Sequence, residues 1–372
     1  MSSKRIIFFI YDLGIGGAEK VVVNLCKYLN RKSNQTEILV INDDNKELMQ
    51  ELDSATKVTS FSIIRIYKSL TKLYKYLSNR KFDFFIANVW PLTVISVLLT
   101  FIFPNLREKL ILIEHGVLHQ EFKSKGKIFL FLQKLSIKFF YNRSKKVIAV
   151  SEGVKKDLVL KGVLEDKIKV IYNPVETNED IEKESLVRLG NENSIKKWEE
   201  GDHERIISIG NLRSIKDYPT LIDAVDRLVN EGNVKLKLLI VGEGPERDSI
   251  SEKIKLRGLS KHIFLAGSVY PPFLLLKKSG MFVISSIVES FGLVVVEAMS
   301  EGLTVVTTDT DGPREIIEDG KFGYISKIGD SKDLSEKIYL GLSNKLDPLK
   351  QKKRSELYSI NKIGKDYESL LS

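Results

Sequence analysis

Short runs of apolar residues alternate with longer amphipathic stretches along most of the chain. The runs are rich in Ile, Val and Phe, which is typical of parallel strands buried on both faces. The helical stretches between them indicate βαβ units and therefore an α/β fold. A first set of strands is predicted at residues 5–10, 37–41, 83–87, 110–114, 146–150 and 169–171.

A second set of strands is predicted after a polar, acidic stretch. These strands lie at residues 206–210, 237–241, 263–266, 281–285, 304–308 and 323–326. The chain of 372 residues is long enough for two domains. We therefore predict two Rossmann-like, doubly wound domains at 1–175 and 205–354, joined by a linker at 176–204 that includes an irregular helix. Ligands of such sheets bind at the carboxyl ends of the strands, so we expect the site to lie in a cleft between the domains.

The charge of the chain is unevenly distributed. Residues 1–175 contain 29 Lys and Arg against 16 Asp and Glu, a net charge of +13, and the rest contains 29 against 33, a net charge of −4. The basic half indicates an anionic partner such as phospholipid, a lipid-linked pyrophosphate or nucleic acid. Cys26 is the single cysteine, and there are four histidines. An internal disulfide and a structural zinc cluster are therefore excluded, and a cytoplasmic location is expected.

One apolar stretch, residues 84–104, is long enough to be considered as a membrane span. Asn88 and Pro91 interrupt it, so we predict a strand that ends near Asn88 and a buried helix after Pro91. The apolar run at the amino terminus stops at Asp12 without a cleavage site and reads as a strand rather than a signal peptide.

The segment after the predicted strand 281–285 combines two glutamates with a glycine. Glu289 lies on the loop, Gly292 opens the next helix, and Glu297 lies about two turns beyond Glu289. The free N–H groups of Gly292 and Leu293 suit a phosphate, and the Glu297 carboxylate can accept hydrogen bonds from vicinal hydroxyls such as those of a ribose. The alternative is a helix-capping glutamate followed by a surface glutamate.

These residues resemble the E-x7-E motif of glycosyltransferase family 4, a family of retaining glycosyltransferases with two Rossmann domains, the GT-B fold. The resemblance spans nearly the whole chain and implies that Glu289 is a catalytic residue beside the transferred sugar and that Glu297 binds the nucleotide ribose. It also implies a donor-binding role for the residues inside the motif, Phe291, Gly292 and Leu293. The closing segment 355–372 resembles the family helix that returns to the first domain.

Two cations follow the first strand of the second domain. Arg213 and Lys216 lie three residues apart, where they can hold a diphosphate and stabilise charge on a leaving group. This segment resembles the family, which implies that both bind the donor. The family commonly has arginine at the position of Asn211, so Arg213 is expected to reach the same phosphate from two residues later. The alternative is a solvated loop.

Glycines follow two further predicted strands and also resemble the family. Gly16 and Gly17 follow the first strand, and Gly242 follows strand 237–241. Missing side chains let a diphosphate or an acceptor approach the backbone, and the resemblance implies donor-binding roles for all three. A dinucleotide fingerprint also begins in this first loop, but Glu19 occupies the position of its third glycine.

His115 directly follows the strongly apolar strand 110–114. A lone histidine is commonly structural, but the family places a histidine here against the transferred sugar, which implies a catalytic role for His115. His119 lies four residues on, but no carboxylate completes a metal site with this pair. Glu114 either orients His115 or simply ends the strand.

Residues 121–146 combine lysines with aromatic and aliphatic residues in a pattern that predicts a basic amphipathic helix. Such a helix can lie in an anionic membrane interface, or it can pack on the sheet with a solvated lysine face. No helix-turn-helix, RNA-binding or zinc-finger pattern accompanies the charge, so nucleic acid is not an expected partner.

The resemblance implies transfer of a sugar from a nucleotide-sugar donor, a UDP-sugar, with retention and without a metal or other cofactor. We expect a glycan or lipid-linked glycan of a bacterial surface polysaccharide as the acceptor, and peripheral attachment to the inner face of the plasma membrane through residues 121–146. The alternatives are a nucleotide-sugar 2-epimerase of the same architecture and a non-catalytic protein that binds glycans or nucleotide sugars.

Overall fold

The structure, a computed structural model, describes residues 3–63, 66–118, 125–176 and 190–372. The chain divides into a first unit, Met1–Glu176 with Tyr358–Ser372, and a second unit, Thr177–Leu357. Each unit has its own parallel sheet with helices.

The sheet of the first unit has the strand order β3-β2-β1-β4-β5-β6-β7. Its strands are β1 (Arg5–Ile10), β2 (Gln35–Val40), β3 (Lys57–Ser60), β4 (Phe84–Asn88), β5 (Leu110–Glu114), β6 (Lys146–Ala149) and β7 (Ile168–Val170). The connecting helices are α1 (Gly17–Arg31), α2 (Ser69–Ser78), α3 (Leu92–Leu98), α4 (Lys127–Phe140) and α5 (Glu152–Leu160). Strands β4 and β5 are buried along their whole length, as expected for a sheet covered on both faces.

The stretch at 84–104 forms the strand and helix that its sequence predicts, β4 and α3. Within the described residues, no helix is both long enough and apolar enough to cross a membrane. The edge strand β3 was not predicted. Its sequence, KVTS, is half-exposed and carries one aliphatic residue, so it lacks the apolar run of a central strand.

The sheet of the second unit has the order β10-β9-β8-β11-β12-β13. Its strands are β8 (Glu204–Ile209), β9 (Leu236–Val241), β10 (Ile263–Gly267), β11 (Met281–Val283), β12 (Thr304–Thr308) and β13 (Tyr324–Ser326). The helices are α6 (Glu192–Glu199), α7 (Tyr218–Asp226), α8 (Arg247–Leu256), α9 (Phe273–Leu276), α10 (Leu293–Ser300), α11 (Asp311–Ile316), α12 (Ser331–Ser343) and α13 (Pro348–Ser355).

The predicted linker at 176–204 differs from the structure in its second half. Residues 177–189 lie outside the described residues. Helix α6 follows and belongs to the second unit, where it packs on β9 and β10. Trp198 is fully buried, and its indole Nε1–H donates to the carbonyl oxygens of Ile206 (3.2 Å) and Lys237 (3.3 Å). The helix expected in this stretch is therefore a regular α-helix of the core, anchored by Ile195 and Trp198.

The chain ends in helix α14 (Ile360–Leu371), which belongs to the first unit and packs against α1. Gly364 allows the close approach, because a Cβ atom there would lie 2.5 Å from the Tyr28 ring. A backbone bridge between Val175 and Ser359 joins the two chain segments that enter and leave this unit.

Candidate donor site and its relatives

The strand order of the second unit reverses beside β8, which has β9 on one side and β11 on the other. In an open parallel sheet, ligands bind beside such a reversal, at the carboxyl ends of the strands. The loops concerned are residues 210–217 after β8 and residues 284–292 after β11. They contain Lys216 and Glu289, which are distant in sequence.

Two hydrogen bonds to backbone carbonyl oxygens hold these two loops together. The N–H of Ile287 donates to the carbonyl oxygen of Ile215 at 2.8 Å. The hydroxyl of Ser285 donates to the carbonyl oxygen of Lys216 at 2.9 Å. The position of Lys216 relative to the second loop is therefore set by the main chain rather than by its flexible side chain.

Lys216 and Glu289 form an ion pair between Nζ and Oε2. The Ser286 hydroxyl donates to the same carboxylate oxygen at 3.4 Å. Both charged side chains are mostly buried, with exposed fractions of 21% and 15%. A pair so shielded from water interacts more strongly than a surface pair, and each charge depends on the other for compensation.

Helix α10 begins beside this ion pair. Its N-cap, Gly292, has φ +97°, a left-handed conformation that favours glycine. The N–H groups of Gly292 and Leu293 make no hydrogen bond with any part of the chain that the structure describes. The positive end of a helix dipole with unused donors and a neighbouring lysine is suited to a phosphate group.

Gly312 fixes the loop that precedes α10. A Cβ atom there would lie 2.3 Å from the Cα of Phe291, and its N–H donates to the carbonyl oxygen of Glu289 at 3.2 Å. Gly312 was not among the predicted site residues. The Asp-Gly-Pro sequence at 311–313, which begins α11, was the available signal for a tight backbone approach.

The remaining predicted donor residues of this unit differ in their surroundings. Glu297 lies on α10 and is 7% exposed. Arg213 is exposed, and its side chain makes no ion pair or hydrogen bond with the described residues. Arg213 is therefore available to a ligand, but nothing on the protein holds it in one orientation.

Gly242 has a structural reason to be glycine. Its φ is +144°, and a Cβ atom there would lie 2.1 Å from the carbonyl oxygen of Gly210. The N–H of Leu212 also donates to the carbonyl oxygen of Glu243 at 2.9 Å. The loop after β9 thus supports the loop that carries Lys216.

Replacing Gly242 by alanine is expected to lower the free energy of unfolding by about 2–4 kcal/mol. The alanine would be strained at this positive φ, and its Cβ would also clash with the carbonyl oxygen of Gly210. Gly258→Ala is the matched control. Its φ is +68° with nothing within 4 Å of an added Cβ, so about 1 kcal/mol is expected. Urea unfolding of both variants measures the difference, and equal losses would contradict the backbone clash.

In the first unit the glycine turn after β1 is already partly filled. A Cβ atom at Gly16 would lie 2.1 Å from Oε2 of Glu19, so this carboxylate covers the glycine. Burial, together with the nearby charge of Asp12, raises the pKa of Glu19 to about 7. The backbone at Gly16 is therefore less open to a diphosphate than the sequence suggests, because the Glu19 carboxylate lies over it.

His115 follows β5 in the same unit, and its ring contacts Asn88 rather than Glu114. Its Nε2 lies 3.1 Å from Oδ1 of Asn88. Glu114 is fully buried and accepts hydrogen bonds from the hydroxyls of Thr93 and Tyr141. The carboxylate ties β5 to α3 and to the turn after α4, so the structure assigns it this structural role. His119 lies outside the described residues.

Two family models match the chain, one for each of its halves. A family model described as "Glycosyl transferases group 1" matches residues 190–359, and one described as "Glycosyltransferase Family 4" matches residues 15–179. Together the two matches span most of the chain. The chain belongs to glycosyltransferase family 4. It is a glycosyltransferase with two Rossmann-like domains, the GT-B fold, and this family membership favours transfer over the 2-epimerase and non-catalytic alternatives.

Curated relatives of this glycosyltransferase include two enzymes of Campylobacter jejuni. The chain is 26% identical, over 98% of both sequences, to N-acetylgalactosamine-N,N'-diacetylbacillosaminyl-diphospho-undecaprenol 4-alpha-N-acetylgalactosaminyltransferase. It is 24% identical, over 91% of the chain and 89% of the relative, to a second alpha-1,4-N-acetyl-D-galactosaminyltransferase that is named for a diNAcBac-PP-undecaprenol substrate.

Among solved structures, HepE of Anabaena in complex with UDP and glucose is similar with a TM-score of 0.79, at 19% identity over 99% of both chains. The apo form of the lipopolysaccharide outer core galactosyltransferase WaaB is similar with a TM-score of 0.69, at 19% identity over 98% of both chains. These likenesses support the fold.

Within the part of the glycosyltransferase that the structure describes, no group of three or more His, Cys, Asp or Glu side chains is arranged to hold a metal ion. The structure brings together Lys216, Glu289 and the start of α10 as one site. His115 and the Gly16–Gly17 turn belong to the first unit.

Proposed function

We propose that this glycosyltransferase transfers a sugar, with retention, from a UDP-sugar to a lipid-linked glycan of a bacterial surface polysaccharide. The ion pair of Lys216 and Glu289 at the start of α10 carries the donor part of this proposal, because it combines a phosphate site with a carboxylate that can bind sugar hydroxyls. The HepE complexes with UDP support the choice of nucleotide. The Campylobacter jejuni relatives, named for undecaprenol-linked substrates, support the choice of acceptor.

The chemistry follows from charge. Breaking the bond between the sugar and the diphosphate leaves negative charge on the phosphate oxygen. Lys216, Arg213 and the N–H groups at the start of α10 stabilise that charge in the transition state. The leaving phosphate then assists deprotonation of the acceptor hydroxyl on the same face, which retains the configuration. The proposal includes no metal ion, because the protein already brings positive charge to the diphosphate.

The other predicted residues complete the donor site of the proposal. Glu297 accepts hydrogen bonds from the ribose hydroxyls. Glu289 and His115 contact the transferred sugar, and Phe291, which is 3% exposed, is a buried residue of the loop that carries Glu289.

A thermal-shift comparison of UDP-, GDP- and ADP-sugars tests the donor. A matching donor at 100 times its Kd is expected to add about 2.7 kcal/mol to the free energy of unfolding. Glu297→Ala should remove most of this gain, whereas Glu252→Ala, at an exposed position of α8, should retain it. The proposed site would be contradicted if no nucleotide sugar stabilised the protein. It would also be contradicted if the matching donor stabilised Glu297→Ala as much as it stabilises wild type.

We further propose that the first unit binds an anionic lipid surface through helix α4. The helix was predicted at 121–146, and the structure has it at 127–140. Residues 121–124 lie outside the described residues, and Lys146 begins β6. The large apolar side chains of one helical stripe face solvent, with exposed fractions of 79% for Ile128, 61% for Phe131, 59% for Leu132 and 67% for Phe139. This observation favours the membrane interpretation over an ordinary packed helix.

The packed face of α4 shows why the stripe faces outward. Gln133 and Ile137 are the buried residues of the helix. The Trp90 indole N–H donates to the Ser136 hydroxyl at 3.2 Å, and the rings of Trp90 and Phe129 meet edge to face at 5.5 Å. Helix α4 is therefore anchored through a partly polar face, and its more apolar face is left uncovered by the described residues.

Basic and aromatic groups flank the stripe. Lys127, Lys134 and Lys138 are exposed on α4. Beside the end of the helix, Phe101 is 57% exposed and the Arg143 guanidinium lies 4.1 Å from the centroid of its ring. Apolar side chains with cations beside them are complementary to an interface of acyl chains and anionic headgroups, and we propose that this surface brings the enzyme to its lipid-linked acceptor.

A further inference from the structure

The side chain of Asn88 lies between three neighbouring strands of the first unit. Asn88 ends β4, is completely buried, and has β1 on one side and β5 on the other. Its Nδ2 donates to the carbonyl oxygens of Phe9 (3.2 Å) and Ile86 (3.4 Å). A polar residue at the end of an apolar strand usually has a specific partner, because burial without one is costly.

These two hydrogen bonds fix the orientation of the carboxamide. A carbonyl oxygen can only accept, so the NH₂ group of Asn88 must face Phe9 and Ile86. Its Oδ1 then faces His115, whose Nε2 lies 3.1 Å away. Because Oδ1 is an acceptor, Nε2 must carry the hydrogen, and the lone pair of the neutral ring is on Nδ1.

The Nδ1 atom is buried and makes no hydrogen bond with the residues that the structure describes. Burial lowers the pKa of His115 to about 4, so the ring is neutral at pH 7 and carries a single N–H. The nearest carboxylate in sequence, Glu114, is engaged by Thr93 and Tyr141. Nδ1 is thus an acceptor that the described part of the protein leaves unused.

We propose that Asn88 is a positioning residue that holds His115 as the Nε2–H tautomer, so that Nδ1 accepts a hydrogen bond from a substrate hydroxyl. This inference rests on the proposed function of His115 for its substrate. A fixed acceptor selects a ligand that presents a hydroxyl at this point, since a group without a hydrogen to donate leaves Nδ1 unsatisfied.

The tautomer can be measured without any assay of transfer. Long-range ¹H–¹⁵N spectra of ¹⁵N-histidine-labelled protein distinguish a protonated from an unprotonated ring nitrogen, and comparison with His115→Phe assigns the signals of His115. We expect a protonated Nε2 and an unprotonated Nδ1 at pH 7. A protonated Nδ1, or an average of the two tautomers, would overturn the inference even if the enzyme transfers sugar.

Two variants test the role of Asn88. In Asn88→Leu, which is similar in size but has no acceptor, we expect a mixture of tautomers. In Asn88→Asp, the carboxylate should favour the doubly protonated ring. Thr93→Val is the matched control, because it removes two buried hydrogen bonds, to Glu114 and Tyr141, and Thr93 makes none to His115. An unchanged His115 spectrum in folded Asn88→Leu would refute the positioning role.

Kinetics then identify the source of the hydroxyl. Relative to Thr93→Val, Asn88→Leu should lose about tenfold in kcat/KM, the size expected for one hydrogen bond. The Kd of UDP alone should not change. A weaker Kd for the UDP-sugar assigns the hydroxyl to the donor sugar, and a raised KM for the acceptor assigns it to the acceptor. If the variant bound UDP alone as weakly as it binds the UDP-sugar, the substitution would have disrupted the site in general, and the inference would be contradicted.

Discussion

Lys216→Ala is expected to lower kcat for sugar transfer by about 10²–10³-fold, the range for removing one preorganised group that stabilises developing charge. Lys216 lies beside the start of α10, and its backbone is held by Ser285. Its charge is therefore in place before the reaction and needs no reorganisation when the bond to the diphosphate breaks. Transfer of a labelled sugar to an undecaprenol-linked acceptor, with vesicles present, measures the loss.

Lys278→Ala is the matched control for this prediction. Lys278 also forms an ion pair in the second unit, with Glu199 at 2.7 Å, but it is 55% exposed. Surface pairs of this kind contribute little, so activity should be unchanged. Retention of wild-type kcat in Lys216→Ala would place the leaving group elsewhere.

Removal of Lys216 also leaves the Glu289 carboxylate without its cation in a mostly buried position. Some loss of stability is therefore expected, and folding must be checked by thermal unfolding before kinetics are compared. Glu289→Ala and the double variant separate the roles. If the two residues act as one unit, the double variant should be barely slower than either single variant.

The sequence predicted the central strands because buried parallel strands are nearly continuous apolar runs. Strands β1, β5 and β12 were located to the residue. Strand β3 was not predicted, because an edge strand is less buried and its sequence lacks an apolar run. Helix α6 was expected only as an irregular helix of the linker, because apart from Ile195 and Trp198 its residues are polar.

The sequence pointed to the residues of the proposed donor site one by one, but it did not predict how they are arranged. Lys216 and Glu289 are 73 residues apart, and nothing in their spacing indicates an ion pair. It arises because β8 and β11 are neighbours in the sheet, which depends on strand order. The same limit applies to Asn88, whose contact with His115 requires β4 and β5 to be adjacent. An asparagine that ends an otherwise apolar strand was the available signal.

Removing large side chains from the apolar stripe of α4 is expected to weaken the binding of the protein to anionic vesicles strongly. Wild-type protein should sediment with vesicles that contain phosphatidylglycerol and remain in solution with phosphatidylcholine alone. The triple variant Phe131→Ser, Leu132→Ser, Phe139→Ser should bind at least about 100-fold more weakly, because each large side chain contributes on the order of 1–2 kcal/mol when it enters an apolar phase. All three side chains are mostly exposed, so the fold should be unaffected.

A second variant separates lipid binding from general stickiness. Leu256 and Leu349 are exposed leucines of the second unit, with exposed fractions of 80% and 77%, and their replacement by serine should leave vesicle binding intact. High salt should weaken wild-type binding, because cations beside the stripe attract the headgroups through a screened interaction. If the triple variant binds vesicles as wild type does, the stripe is not the membrane surface. If instead it converts a dimer to a monomer while vesicle binding persists, the stripe is an interface between two copies of the chain.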